Sequence, residues 1–293
     1  MSRTVTELLA ITADFFQKKG IESPRLDAEL LLGKVLGLSR IQLYTHFDQP
    51  LQEPELDEFR ELVRRRGKRE PVAYILGRRE FFGRDFTVTR DTLVPRPDTE
   101  ILVETALGRL KEYPPDKVLK AADICTGTGA IAITVALEMK GRAQVTATDI
   151  SPKALAVARI NKEKLAAGES VTFRPGDLFQ ALKPGEKFTA ILSNPPYISE
   201  EEMAALPPEV QAEPSLALCG GRDGLDFYRR LINEAPEYLE PGGFLAMEIG
   251  SEQGEPVAEL ARQAGFCGPA AIEIIRDLSG HPRVAVMKKD YEY

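Results

Sequence analysis

From residue 118 to residue 288, short apolar runs rich in β-branched residues alternate with helical stripes, and that alternation leaves few folds open. Strands are expected at 118–124, 144–147, 171–174, 188–193, 244–249, 271–276 and 284–288. Helices are expected at 131–139, 152–161, 225–239 and 256–264. Repeated β–α–β units with right-handed crossovers imply an α/β fold on a mostly parallel sheet. The last two runs read as a terminal hairpin pair, which makes that end of the sheet antiparallel.

The first 70 residues read as helices only. Thr4-x-x-Glu7 is a capping-box pattern ahead of Leu8, Leu9, Phe15 and Phe16, and Lys18-Lys19-Gly20 resembles a helix end. Ser23-Pro24 supplies an N-cap and a first-turn proline before the stripe Leu26, Leu30, Leu31 and Val35, which Gly37 ends. Residues 39–47 suggest a third helix. Residues 54–66 suggest a fourth, with Leu56, Phe59, Leu62 and Val63 inward. Residues 1–70 are thus expected as a small helical bundle that recognises a partner. In 71–95, Tyr74, Ile75, Phe81, Phe82, Phe86 and Val88 alternate with polar residues around Gly77 and Gly83, the pattern of a β-hairpin linker. Two prolines in Pro95-Arg96-Pro97 set a turn feeding a helix at 98–110, where residues 96–293 begin the α/β domain.

Composition removes several classes of function. The chain is 43% hydrophobic and 28% charged, an ordinary globular balance, and its net charge of −7 does not suit a generic polyanion binder. The charge is uneven: ten Arg and Lys stand against four acids between Arg60 and Arg90. That run reads either as a solvated helix face or as a basic saddle for an acidic partner. Cys125, Cys219 and Cys267 are odd in number, far apart and without metal-ligand spacing, so a reduced, cytoplasmic protein without a metal is expected. Glu7 and Asp14 interrupt the N-terminal apolar stretch, which argues against a signal peptide, and no apolar run is long enough to span a bilayer.

Two stretches carry chemistry. Ile191-Leu192-Ser193 reads as a buried strand end, and Asn194-Pro195-Pro196-Tyr197 follows. Each proline fixes φ and lacks an N–H, and Asn194, preceding a proline, is held extended. The result is a stiff corner where open α/β sheets bind ligands. There the Asn194 side-chain oxygen and the Pro195 carbonyl can accept both hydrogens of a planar NH2 group. The second stretch, Asp123 to Gly129, puts a glycine turn between strand and helix, and Asp149 ends the next strand twenty residues on. A carboxylate there can accept both hydroxyls of a ribose. Gly127-x-Gly129-x-x-Ala132 also matches the dinucleotide fingerprint, so two nucleoside-binding classes share this geometry.

Taken together, these motifs resemble the class I S-adenosylmethionine-dependent methyltransferases. The resemblance is closer to the HemK/PrmC family, which methylates the side-chain amide nitrogen of a glutamine in peptide chain release factors. It runs through Pro95-Arg96-Pro97-Asp98-Thr99-Glu100, Asp123 to Ala132, Asp149, Gly176-Asp177-Leu178-Phe179, Asn194 to Tyr197, Glu213-Pro214 and Gly220-Gly221-Arg222-Asp223-Gly224-Leu225. One departure is Cys125, where the family often has Gly.

The resemblance implies a Rossmann-like methyltransferase sheet and S-adenosylmethionine as cofactor. Cys125, Thr126, Gly127, Thr128 and Gly129 would lie along its methionine part, Asp149 on the ribose, and Asp177 and Leu178 by the adenine. Pro95 and Arg96 would wall the pocket. Asn194, Pro195, Pro196 and Tyr197 would form the catalytic corner, with Asn194 also beside the cofactor. The implied substrate is a release-factor Gly-Gly-Gln loop, the enzyme acting as a monomer without a membrane. No strong general base is expected, and neither His46 nor His281 stands where one would be needed. Since adenine N6 is also a planar NH2, methylation of an amino group on DNA or RNA is the second reading. A dehydrogenase and a non-catalytic cofactor-binding protein are further alternatives.

Overall fold

The computed structural model describes residues 3–267 and 271–289; the ends of the expected domains, 1–2 and 290–293, and the stretch 268–270 lie outside them. The chain divides into two compact units. One runs to Arg78 and includes Pro207–Ala212; the other comprises Arg79–Leu206 and the chain from Glu213.

The first unit holds α1 (Val5–Lys18), α2 (Pro24–Leu36), α3 (Arg40–Thr45), α4 (Glu53–Gly67) and α5 (Val72–Leu76). The capping box opens α1: Thr4 Oγ1 accepts the Glu7 N–H, and the Thr4 N–H donates to the Glu7 carboxylate at 2.9 Å. Ser23 does not cap α2 with its side chain; its carbonyl takes the Asp27 N–H instead. Leu8, Phe16, Leu31, Leu32, Phe59 and Ile75 share one core.

Tyr74 and Ile75 are a correction to the hairpin expectation, because they lie in α5, between Pro71 and a left-handed Gly77. So short an apolar run between two turn-formers carries no readable period. The hairpin itself is shorter, β1 (Arg78–Phe81) and β2 (Arg84–Thr87), closed by an edge-to-face contact of Phe81 and Phe86 at 5.9 Å.

Much of the basic run is committed within its own unit. Arg66 is buried and donates to Asp27 at 2.7 Å and to Glu209 at 2.9 Å. Arg60 pairs with Asp57, Arg64 with Glu61, Arg65 with Glu70 and Arg69 with Glu209. In the second unit Arg84 pairs with Glu138. Arg60 and Arg64 belong to a solvated helix face, while Arg65, Arg66, Arg69 and Arg84 are drawn into partly or fully buried ion pairs.

The second unit continues with α6 (Asp98–Lys111), β3 (Leu119–Ile124), α7 (Ala130–Glu138), β4 (Ala143–Asp149), α8 (Pro152–Lys164), β5 (Val171–Pro175), β6 (Phe188–Ser193) and α9 (Glu200–Met203). After α10 (Pro208–Gln211), which counts with the first unit, come α11 (Asp226–Tyr238), β7 (Leu239–Glu248), α12 (Gly254–Gln263), β8 (Ile272–Arg276) and β9 (Pro282–Lys288). The seven strands order as β5-β4-β3-β6-β7-β9-β8, parallel except for β9, which runs antiparallel to both neighbours. This is the α/β sheet expected, with its antiparallel end.

Successive side chains pass to opposite faces, as the pleat requires. Ala121, Ala190, Leu192, Phe244 and Ala246 join one core, while Ala122, Ile191, Leu245 and Met247 join the other. All six residues of β6 are buried, which is why its sequence is apolar without alternation. β7 begins earlier than expected, running through Gly242 and Gly243 rather than starting after them. A Cβ on Gly243 would stand 3.0 Å from the carbonyls of Phe188 and Thr189, so the glycine serves a close approach of strands, not a turn.

Candidate active site

β3 and β6 lie side by side at the centre of the sheet, with β4 and β5 wound to one side and β7 to the other. This is the topological switch point, and the crevice beyond its carboxyl edge is where such sheets bind ligands. A cavity of about 240 Å³ opens there. Of the residues expected at the site, Cys125, Gly127, Asp149, Asp177, Leu178, Asn194 and Pro196 line it. Thr126, Thr128, Gly129, Pro195 and Tyr197 are not among its walls. Pro95 and Arg96 are not either: Leu93, Thr92 and Asp91 take that wall, and Arg96 pairs with the buried carboxylate of Glu213, which also accepts the Val94 N–H at 2.9 Å. The Pro-Arg-Pro turn therefore braces the wall from behind.

The turn after β3 is built around two carboxylates. Asp123 is fully buried; its Oδ2 accepts the Thr126 hydroxyl at 2.5 Å and the Ala132 N–H at 3.1 Å. Asp149 accepts the Gly127 N–H on Oδ2 at 2.9 Å and the Ser151 N–H on Oδ1 at 2.8 Å. Thr128 contributes its carbonyl to Asn161, which also ties down the backbone of Thr87. Gly129 starts α7 at φ +80°, and a Cβ on it would meet Ile133 at 3.0 Å and Ala158 and Phe173 at 3.3 Å. Gly127, by contrast, has nothing within 4 Å of its Cβ position. Gly129 is thus a packing glycine, and Gly127 leaves room on the cavity side. Cys125 takes φ +64° although it is not glycine, and burial, aided by Asp149 and Asp123, pushes its thiol well up, so it stays protonated.

Across the cavity, Asp177 Oδ2 accepts from Arg230 Nη2 at 2.6 Å, and Leu178 is held at φ +48°. Among the described residues Arg230 is the one basic residue of the walls, against the carboxylates of Asp91, Asp149 and Asp177. The pocket therefore favours a cationic ligand and disfavours a pyrophosphate, which the dinucleotide reading would require.

Asn194 Nδ2 donates to Thr99 Oγ1 at 3.1 Å, and Thr99 Oγ1 donates to Glu248 Oε2 at 2.6 Å. The Tyr197 hydroxyl donates to Glu248 Oε1 at 3.3 Å, which points the ring back into the protein and leaves the corner rigid. Gln253 Nε2 holds the Tyr197 carbonyl at 2.9 Å. Among the described residues no donor reaches Asn194 Oδ1 or the Pro195 carbonyl. His46 bonds the carbonyl of Gln42, and His281 sits in the turn between β8 and β9. No metal-holding cluster of His, Cys, Asp and Glu occurs among the described residues.

Burial pushes the carboxyls of both Asp123 and Glu248 up to about 7; Asp149 adds to the effect at Asp123, and Asp98 at Glu248. The folded protein therefore holds protons that the unfolded chain releases. The stabilisation is complete below the ordinary carboxylate range and is lost as pH rises through about 7, at up to about 1.4 kcal/mol per pH unit for each group. Melting temperature is expected to fall between pH 5.5 and 8, and Asp123→Asn is expected to flatten that slope. A wild-type melting temperature that rises across the window would contradict it.

Known proteins place this geometry. The PrmC N-terminal domain model matches residues 7–77, and the methyltransferase small domain model matches residues 99–207. The chain is 46% identical over 291 residues to the release factor glutamine methyltransferase of Rhodopirellula baltica, covering 98% of this chain and 96% of that one. The chain belongs to the release factor glutamine methyltransferase family. The Geobacter sulfurreducens member is 46% identical over 90% of both chains, and the Bacillus cereus member 39% identical over 96% of this chain and 97% of its own. Among solved structures, a methyltransferase from Pyrococcus furiosus matches with TM-score 0.52 at 22% identity, over 72% of this chain and 91% of its own. The hMettl16 catalytic domain, solved with the MAT2A 3′UTR hairpin 1, matches with TM-score 0.56 at 16% identity over 82% of both chains. These structures share the class I methyltransferase fold. Among the described residues no helix is long and apolar enough to cross a membrane.

Sequence reasoning about this family member missed Thr99 and Glu248 as parts of the corner. Thr99 was visible only as one residue of the turn feeding α6. Glu248 carried a stronger signal, an acid inside the apolar run that ends β7, where a buried charge needs partners. Gln253 acts by holding backbone, which leaves no mark in a sequence; Glu213 was visible as part of the resemblance, but its hold on Arg96 and Val94 was not.

Proposed function

We propose that this protein transfers a methyl group from S-adenosylmethionine to the side-chain amide nitrogen of the glutamine in the Gly-Gly-Gln loop of peptide chain release factors. Family membership supports the reaction class. The observation that carries the reading is local: Asn194 lines the acidic cavity, and among the described residues no donor reaches its side-chain oxygen or the neighbouring Pro195 carbonyl.

The residues present fit the cofactor. Gly127 leaves space beside the chain, Asp149 keeps a free lone pair on each oxygen for a ribose hydroxyl, and Ile150, Leu178 and Phe227 give apolar walls for a ring. Asp177 and the acidic lining suit an amino group and a positive charge. When bound, S-adenosylmethionine supplies an electrophilic methyl group. Asn194 Oδ1 and the Pro195 carbonyl then accept the two hydrogens of the glutamine amide. They raise the electron density on its nitrogen and fix its direction toward the methyl group, and orientation of this kind is worth roughly 7–11 kcal/mol in well-aligned models. Acceptors aimed at developing positive charge add to that. Tyr197 acts from behind the corner, where its hydroxyl on Glu248 holds the backbone that carries Asn194. The amide needs no strong base beforehand, because its proton is acidic only once the nitrogen is alkylated and can then pass to water.

The helical unit is proposed to recognise the release factor, and the protein to act as a cytoplasmic monomer. Direct action on nucleic acid is the weaker reading, since six arginines of the basic run are tied to acids. Incubation with S-adenosylmethionine labelled on its methyl group, offering a release factor, adenine-bearing DNA and RNA in parallel, tests this. Label on the release factor alone is expected; label on nucleic acid alone would overturn the reading.

A further inference from the structure

Strand register puts Asn194 next to Glu248. Ser193 of β6 stands opposite Met247 of β7, so the next residue on each strand meets its neighbour at the carboxyl edge. Glu248 is only 2% exposed, and both its oxygens are taken by hydroxyls, Oε2 by Thr99 and Oε1 by Tyr197. A carboxylate only accepts, while a threonine hydroxyl has one proton to give. That proton goes to Glu248. What Thr99 turns toward Asn194 is then a lone pair, and only an N–H can meet it. Asn194 Nδ2 does, at 3.1 Å.

This matters because the two ends of a carboxamide are nearly equal in size, so packing alone does not tell them apart. Rotated by half a turn, Asn194 would offer its own NH2 to a substrate NH2, donor against donor. We propose that Thr99 and Glu248 are positioning residues: they form a one-way hydrogen-bond chain that fixes the Asn194 amide with its oxygen toward the substrate. The chain runs Asn194 to Thr99 to Glu248, and its direction is set at the buried acid. The inference deepens the role given to Asn194 above and rests on that reading. A proton on Oε1, the oxygen facing Tyr197, leaves Oε2 an acceptor and the direction intact.

Substitution separates this from mere packing. Thr99→Val keeps the shape and removes the hydroxyl; loss of one neutral hydrogen bond corresponds to about a tenfold fall in kcat. Affinity for S-adenosylhomocysteine should stay near wild type. Thr99→Ser restores the hydroxyl and is expected to recover most of the rate. Glu248→Gln can donate to Thr99 and so reverse the chain, with a loss like that of Thr99→Val. On an Asn194→Ala background Thr99→Val should cost nothing more, because the group it positions is gone.

A second readout does not depend on turnover. The Asn194 side-chain NH2 pair, identified in ¹⁵N spectra by its absence from Asn194→Ala, should show one proton protected from exchange in wild type and Thr99→Ser but not in Thr99→Val. Wild-type kcat in Thr99→Val with an unchanged Asn194 signal would overturn the proposal. If the wild-type enzyme does not methylate a release factor, the substrate reading fails, and the spectra still decide the relay.

Discussion

Asn194→Ala is expected to lower turnover about 10²–10³-fold, the range seen when one preorganised hydrogen-bonding group is removed from a reacting centre. The substitution removes one of two acceptors for the substrate NH2, and an amide held by the Pro195 carbonyl alone can turn about that single hydrogen bond. It also frees Thr99 Oγ1, which can still donate to Glu248, so the second unit loses little stability. Cofactor affinity should change little, since Asp149 at the end of β4, Gly127 in the turn after β3 and Asp177 beyond β5 are untouched. Single-turnover rates at saturating cofactor, with calorimetric titration of S-adenosylhomocysteine, separate the two effects. Turnover at the wild-type level would remove Asn194 from the chemistry.

Asp149→Ala is expected to act the other way, weakening cofactor binding by about 10²-fold or more, from two hydrogen bonds to a charged acceptor at about 1.5–3 kcal/mol each. The same carboxylate holds the N–H groups of Gly127 and Ser151, so the turn after β3 also loosens. Titration with S-adenosylhomocysteine reads the affinity, and the melting temperature reads the turn. Asp149→Asn keeps the shape and one acceptor oxygen, and should fall between. Unchanged affinity in Asp149→Ala with a lowered melting temperature would reduce Asp149 to a purely structural residue.

The sheet was legible because its evidence is repetitive: an apolar strand such as 188–193, buried on both faces, looks like nothing else when helical stripes flank it. The corner at Asn194-Pro195 was legible because proline restricts its own backbone and its neighbour's. The residues that support these features were not. Glu248 meets Thr99 across 149 residues and Glu213 meets Val94 across 119, and such pairings depend on topology rather than on any local pattern. The stretch from Ser199 to Leu225 was opaque for a different reason. It folds as one-turn helices and tight turns, too short for any period to show. α5 failed on the same ground. The basic run was legible in part: Arg60, Arg64 and Arg65 pair with acids close in sequence, but Arg66 and Arg69 find Asp27 and Glu209 in distant segments.

The central claim is that this site methylates a glutamine amide. Its most direct test is mass spectrometry of a purified release factor after incubation with the wild-type protein and S-adenosylmethionine, with fragment ions locating the added mass. One methyl on the side chain of the Gly-Gly-Gln glutamine is the predicted result. A methyl on any other residue, or none while calorimetry shows the cofactor bound, would contradict the account.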